Sequence, residues 1–242
     1  RTSKGKSLAN VVQLTSGEKV CSILPVEEFV ESKYVVMLTE RGIIKKTSLD
    51  SFSNPRTAGI IALTTDLEDR VVDCKISDGS SDVFVATKEG MSIRFNENDV
   101  RAMGRSARGV KGMTLAEKDS VVGMEILEKN TPDTILMVTS KGYGKRSEVG
   151  EYRIQSRGGV GVITQKTTDK DGVVIGTKKV SQAQEFILST DHGQVIRMKI
   201  SDISVLGRNT QGVRLINLDD KQETVSGLAV VLDEVPVAEE TH

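Results

Sequence analysis

Ile135-Leu136-Met137-Val138-Thr139-Ser140-Lys141-Gly142 decides the fold, because the same pattern occurs four times. The other copies are Val35-Val36-Met37-Leu38-Thr39-Glu40-Arg41-Gly42, Val83-Phe84-Val85-Ala86-Thr87-Lys88-Glu89-Gly90 and Phe186-Ile187-Leu188-Ser189-Thr190-Asp191-His192-Gly193. Each is an apolar run followed by Thr-x-x-Gly, and the glycines recur every 48 to 52 residues. A nearly fixed period of this size marks a repeat architecture. An apolar run, a turn in which Gly supplies a positive φ, and a second extended run predict one β-hairpin per unit.

Working outward, a second element lies 17 to 19 residues beyond each glycine: Pro55-Arg56-Thr57-Ala58-Gly59, Arg105-Ser106-Ala107-Arg108-Gly109, Arg157-Gly158-Gly159-Val160-Gly161 and Arg208-Asn209-Thr210-Gln211-Gly212. Arg1-Thr2-Ser3-Lys4-Gly5 is a fifth copy, and four of the five read Arg-x-x-x-Gly. A third element is an apolar strand behind an acidic turn, as in Asp69-Arg70-Val71-Val72, Asp119-Ser120-Val121-Val122, Asp171-Gly172-Val173-Val174 and Glu223-Thr224-Val225. The expected fold is all-β, with blades of about four antiparallel strands placed around an axis. Five loop elements stand against four hairpins, so the fifth and last repeat unit is incomplete. An array of this kind either has a further hairpin upstream of Arg1 or stays open. The expected division is a repeat domain over residues 1–233, with loops starting near 1, 55, 105, 157 and 208, and an acidic tail over 234–242.

Composition narrows the function. Among 242 residues, 37% are hydrophobic, enough for a core, whereas aromatic residues are 3% and Trp is absent. That favours sheets of aliphatic side chains over a deep aromatic-lined pocket for a small molecule. Lys and Arg number 33 against 34 Asp and Glu, so affinity for a polyanion requires charge gathered on one face. Cys21 and Cys74 lie far apart in apolar-rich stretches, as expected of buried thiols in a reducing, cytoplasmic compartment. No apolar run exceeds five residues, and no membrane contact is expected.

The wording of several stretches resembles the C-terminal domain of the DNA gyrase A subunit of bacteria, with its topoisomerase IV counterpart as a close relative. They are Arg56-Thr57-Ala58-Gly59, Val100-Arg101-Ala102-Met103-Gly104, Asn130 through Gly142-Tyr143-Gly144-Lys145-Arg146 and, most specifically, Ile203-Ser204-Val205-Leu206-Gly207-Arg208-Asn209-Thr210-Gln211-Gly212-Val213. The resemblance implies a β-pinwheel, a propeller-like ring or spiral whose blades exchange strands, and a basic rim that wraps duplex DNA. It further implies that the partners are the gyrase B subunit together with the rest of the gyrase A subunit. A cytoplasmic, nucleoid-associated location and no cofactor follow from the same resemblance. The heptapeptide Gln-Arg-Arg-Gly-Gly-Lys-Gly that marks gyrase A subunits is not intact. Gln155-Ser156-Arg157-Gly158-Gly159-Val160-Gly161 is a degenerate version of it, and an intact copy is expected upstream of Arg1.

One Arg in one Gly-containing loop is ordinary turn chemistry. Five loops at one phase of a repeat place Arg1, Lys4, Lys6, Arg56, Arg105, Arg108, Lys111, Arg157, Arg208 and Arg214 near a common edge, as contact with phosphates requires. Basic residues after the hairpin turns, Lys45, Lys46, Arg94, Lys145, Arg146 and Arg197, are further candidates. Lys4-Gly5-Lys6-Ser7 belongs to the repeated loop class rather than to a nucleotide-binding loop. No His/Cys cluster has metal-ligand spacing and no nucleophile has a partner, so no catalysis is expected of this chain. The acidic tail is expected either to be a solvated end or to compete with DNA for the basic edge. The competing expectation is a propeller that serves as a protein-interaction platform.

Overall fold

A computed structural model of the chain describes residues 12, 14, 17–56, 58–129, 131–220 and 222–231. Arg1, Lys4, Lys6 and the tail at 234–242 lie outside the described residues. The described elements are β1 (Tyr34–Thr39), β2 (Ile43–Ser48), β3 (Val71–Ser77), β4 (Asp82–Thr87), β5 (Met91–Asn96), β6 (Val110–Lys111), β7 (Val121–Leu127), β8 (Thr134–Thr139), β9 (Tyr143–Glu148), β10 (Val162–Ile163), β11 (Val174–Val180), β12 (Glu185–Thr190), β13 (Val195–Lys199), β14 (Val213–Arg214) and β15 (Val225–Val231). The only helical pieces among them are single 3-10 turns, one after each hairpin: Leu49–Phe52, Glu97–Asp99, Val149–Glu151 and Ile200–Asp202.

The four predicted hairpins are β1-β2, β4-β5, β8-β9 and β12-β13. Physical reasons for Thr-x-x-Gly are visible at each tip. The glycine amide donates to the threonine carbonyl three residues back, at 3.0 Å for Gly42 to Thr39 and 3.1 Å for Gly90 to Thr87. The threonine hydroxyl accepts the amide of the residue after the glycine, at 3.0 Å from Ile43 and 3.2 Å from Tyr143. Gly42, Gly90, Gly142 and Gly193 have φ of +80°, +80°, +77° and +90°, a region open to glycine at no steric cost.

Strand order explains why the unit repeats. Three sheets run β3-β1-β2-β6, β10-β5-β4-β7 and β11-β8-β9-β14, and the fourth, with three strands, runs β13-β12-β15. The long strand behind the acidic turn pairs with the first strand of its own hairpin. The two-residue strand that completes each four-stranded sheet comes from the loop of the next repeat: β6 on β2, β10 on β5 and β14 on β9. Adjacent repeats therefore exchange strands, as in a β-pinwheel.

By chain packing there are two compact units, one of Arg1–Val85, Ile93–Lys129 and Ile154–Gly161, the other of Ala86–Ser92, Asn130–Arg153 and Val162–His242. In the first, β3 lies against β7, and Val36, Leu38, Ile44, Phe95, Val121 and Met124 are buried. In the second, β11 lies against β15 over a core of Leu136, Val138, Val180, Phe186, Leu188, Ile200, Ile203 and Val225. One expectation fails: Cys21 is exposed and Cys74 only partly buried, so neither is a core thiol. Cys21 lies close enough to Cys74 to help raise its pKa.

Candidate nucleic-acid interface

Basic residues of the hairpins point largely inward. Lys45 and Lys145 occupy the same place in β2 and β9 and have 0% exposure. The Lys45 ammonium donates to the carbonyls of Ala62, at 2.6 Å, and Arg105. Lys145 donates to the carbonyls of Gly207, at 2.8 Å, and Arg208, and to the Thr210 hydroxyl at 3.0 Å. Burial lowers the pKa of both amines, that of Lys145 to about 8.

One residue further on, Lys46 is buried against Glu97, with Nζ 3.6 Å from its carboxylate and 5.0 Å from the centre of the Tyr34 ring. Ser77 Oγ and the Ser81 amide donate to the same carboxylate, at 2.6 and 2.7 Å. Arg94 pairs with Asp82 at 2.8 Å, Arg146 donates to the Ile203 carbonyl at 3.0 Å, and the more exposed Arg197 pairs with Glu185. This corrects the expectation for Lys45, Lys46, Lys145 and Arg146. A cation at these positions satisfies loop carbonyls and a buried acid inside the blade and does not reach the surface. Arg94 reaches it only in part, on Asp82, whereas Arg197 is exposed and pairs with Glu185.

The loops behave differently. Gly59, Gly109, Gly161 and Gly212 have φ between +78° and +92°. A Cβ on Gly109 would stand 2.6 Å from the Ile44 carbonyl oxygen, and one on Gly212 2.5 Å from that of Gly144. Glycine is needed here so that the loop can lie down on its own sheet. The leading arginine is partly structural too. Arg157 donates to the carbonyls of Asp99 at 2.8 Å and Lys111 at 3.0 Å, and Arg208 to that of Ile163 at 2.7 Å. Arg105 is partly exposed.

What remains facing solvent can be stated unit by unit. In the first, Arg56, Arg101, Arg108 and Lys111 are exposed, Arg108 within 2.8 Å of Asp66. In the degenerate heptapeptide, Ser156 and Val160 are exposed, Arg157 and Gly158 less so, and Gln155 is partly buried. In the second, Arg153, Lys166 and Arg214 are exposed. The Arg214 guanidinium lies 5.3 Å from the centre of the Tyr143 ring and donates to its hydroxyl at 2.9 Å. A cleft recurs at one repeat phase: Arg41, Lys111, Met113 and Leu115 line it in the first unit, Lys141, Arg214, Ile216 and Leu218 in the second. Among the described residues no group of three His, Cys, Asp or Glu side chains is placed to hold a metal ion.

Four segments, 33–78, 81–128, 133–181 and 184–232, match the family described as DNA gyrase C-terminal domain, beta-propeller. Each contains one hairpin, one loop and one return strand. The chain belongs to this gyrase C-terminal family. Curated relatives that are DNA gyrase A subunits agree: that of Salmonella typhimurium is 41% identical over 97% of this chain and 26% of its own length. That of Haloquadratum walsbyi is 40% identical over 93% of this chain and 27% of its own. The chain thus spans about a quarter of the length of the curated relatives it matches. A solved DNA gyrase A C-terminal domain superposes with a TM-score of 0.84 at 25% identity, covering 95% of this chain and 76% of that one. A C-terminal domain of DNA topoisomerase IV superposes with 0.86 at 24% identity, covering 94% and 70%, and shares the fold. No described helix is long and apolar enough to cross a membrane.

Within this gyrase-type domain, three of the exposed cations beside the loops, Arg101, Arg153 and Lys166, are absent from the sequence-based expectation. Arg101 and Arg153 stand at one repeat phase, between Val100 and Ala102 in one copy and Tyr152 and Ile154 in the other. Val100-Arg101-Ala102 and Tyr152-Arg153-Ile154 share a buried, exposed, exposed pattern, and aligning the repeats is the signal that could have found them. Ser204 obscures that signal by replacing the cation in the third copy.

Proposed function

We propose that this chain binds, bends and wraps duplex DNA without reading its sequence, as the C-terminal part of a gyrase A subunit. Contacts come from cations at or beside the Arg-x-x-x-Gly loops. They are Arg56, Arg101, Arg105, Arg108 and Lys111 in one unit and Arg153, Lys166 and Arg214 in the other, with Arg157 and Arg208 in support. The single observation that carries this reading is the sorting of charge by repeat phase. Cations of β2, β5 and β9 are consumed inside the blades or by a buried acidic partner, whereas those beside the loops return to solvent in repeat after repeat. Phosphate contacts of this kind position a duplex and carry no base information. Smooth bending of a site of about 20–30 bp costs about 1–6 kcal/mol, which several such contacts offset.

In the whole enzyme, wrapping would fix the hand of the DNA crossing offered to the strand-passing core and so the direction of supercoiling. DNA cleavage and ATP hydrolysis would reside in the B subunit or in the rest of the A subunit, with this chain non-catalytic and working on the nucleoid. The test is binding and bending of a duplex by the charge-reversal variant Arg105→Glu/Arg108→Glu. Loss of bending supports the reading. Retained bending places the phosphate contacts elsewhere, and failure of the unaltered chain to bind favours a protein-interaction platform.

A further inference from the structure

Two of the three fully described Arg-x-x-x-Gly loops rest on a buried ammonium. Lys45 lies under the loop at 105–109 and Lys145 under that at 208–212, through the carbonyls of Arg105 and Arg208. The third loop, 157–161, lies over Ile93, whose Cδ1 would be 3.4 Å from a Cβ on Gly159. An ammonium is a costly thing to bury, and an apolar side chain fills the same place in β5. Lysine at the other two therefore does something that isoleucine does not.

A peptide unit is planar and trans, so a carbonyl drawn inward turns the following amide outward. Beneath these loops the inward carbonyls are those of Arg105, Gly207 and Arg208, and the amides turned away belong to Ser106, Arg208 and Asn209. The Arg208 amide donates to the Glu151 carboxylate at 2.6 Å, so an anionic oxygen is already seated on that one, and the amides of Ser106 and Asn209 are those offered to phosphate. The full positive charge of the lysine, one peptide behind, adds to that attraction in a region of low dielectric.

We infer that Lys45 and Lys145 are positioning residues for DNA binding: buried ammonium groups that draw loop carbonyls inward and so present the next backbone amides to phosphate. The inference rests on the DNA reading proposed above. Charged groups facing Lys145 are Glu151, which follows β9, and Arg208 of the loop, while β8 offers only Met137 opposite it. Burial holds the Lys145 amine at about 8, so its charge is lost within a pH range in which phosphate and arginine keep theirs.

The experiment is anisotropy titration of a labelled duplex by the chain and by its Lys145→Met variant, at fixed ionic strength, from about pH 7 to about pH 9.5. The unaltered chain is expected to lose about tenfold in affinity across this window, and the variant to be weaker by about tenfold at pH 7 with a flat profile. A flat profile in an unaltered chain that binds DNA overturns the inference alone, as does a variant with undiminished affinity and the same alkaline loss. No binding at any pH overturns the DNA reading and this inference with it. If the variant does not fold, the profile of the unaltered chain decides.

Discussion

The Arg208 guanidinium donates to the Ile163 carbonyl at 2.7 Å, tying the head of one Arg-x-x-x-Gly loop to the short strand that follows the previous loop. Arg157 repeats the relationship one unit earlier, on Lys111 at 3.0 Å. These arginines are interlocks between successive loops as well as cations. Arg208→Ala is expected to cost about 0.5–1.5 kcal/mol of stability, the net contribution of a hydrogen bond whose carbonyl water can reach once the donor is gone. Arg153→Ala, at an exposed site, is expected to stay within about 0.5 kcal/mol while weakening duplex binding. Urea unfolding beside DNA titration separates the two roles.

Loop glycines carry a second prediction. Gly109→Ala and Gly212→Ala each combine a positive φ with a Cβ driven to within 2.6 or 2.5 Å of a carbonyl oxygen of the sheet beneath. Each is expected to destabilise by about 1–3 kcal/mol, read as a lower Tm. Gly59→Ala, with open space around its Cβ, is expected to cost less.

Lys46 and Glu97 test whether the hairpin cations are structural. Lys46→Ala strands a buried carboxylate that Ser77 and Ser81 can only partly satisfy, and is expected to cost about 3–5 kcal/mol. Unfolding measurements on Lys46→Ala and on the double variant Lys46→Met/Glu97→Met check this, the second being the milder. The salt dependence of DNA binding by folded Lys46→Met/Glu97→Met should match that of the unaltered chain.

Cysteine chemistry gives a pH dependence whose sign is fixed. Burial first, then the neighbouring Cys21 and Asp73, push the Cys74 thiol up from its ordinary 9.0 to about 12. A raised thiol pKa contributes stability that is fully present below the unfolded value and lost as pH climbs from about 9 toward 12. At about pH 8 an alkylating reagent should label one thiol quickly, since a protonated thiol is a poor nucleophile. Cys21→Ser should abolish the rapid phase, and Cys74→Ser should leave it.

Much of the fold was legible because a repeat averages away local ambiguity. Thr139 and Gly142 alone are two residues in a turn, but four copies at one spacing fix four hairpins, and the acidic turns before Val71, Val121, Val174 and Val225 fix the return strands. The family emerged from the wording of the loops. The site was harder to read, because charge in a sequence carries no direction. Lys45 and Lys46 follow one another in β2, yet neither faces solvent, since a loop from the next repeat covers one and Glu97, in the 3-10 turn after the second hairpin, receives the other. Nothing near Lys45 in the sequence announces Arg105, 60 residues on. Arg101 and Arg153 were missed for the opposite reason, being solvent-facing in an otherwise apolar phase of the repeat.

The most direct test of the account is the salt dependence of duplex binding by the chain and by Arg101→Ala/Arg153→Ala. About six phosphate contacts through exposed loop cations predict a slope of log affinity against log salt of about −5, shallower by about 2 in the double variant. Absence of duplex binding at about 50 mM salt, or a slope near zero, would contradict it.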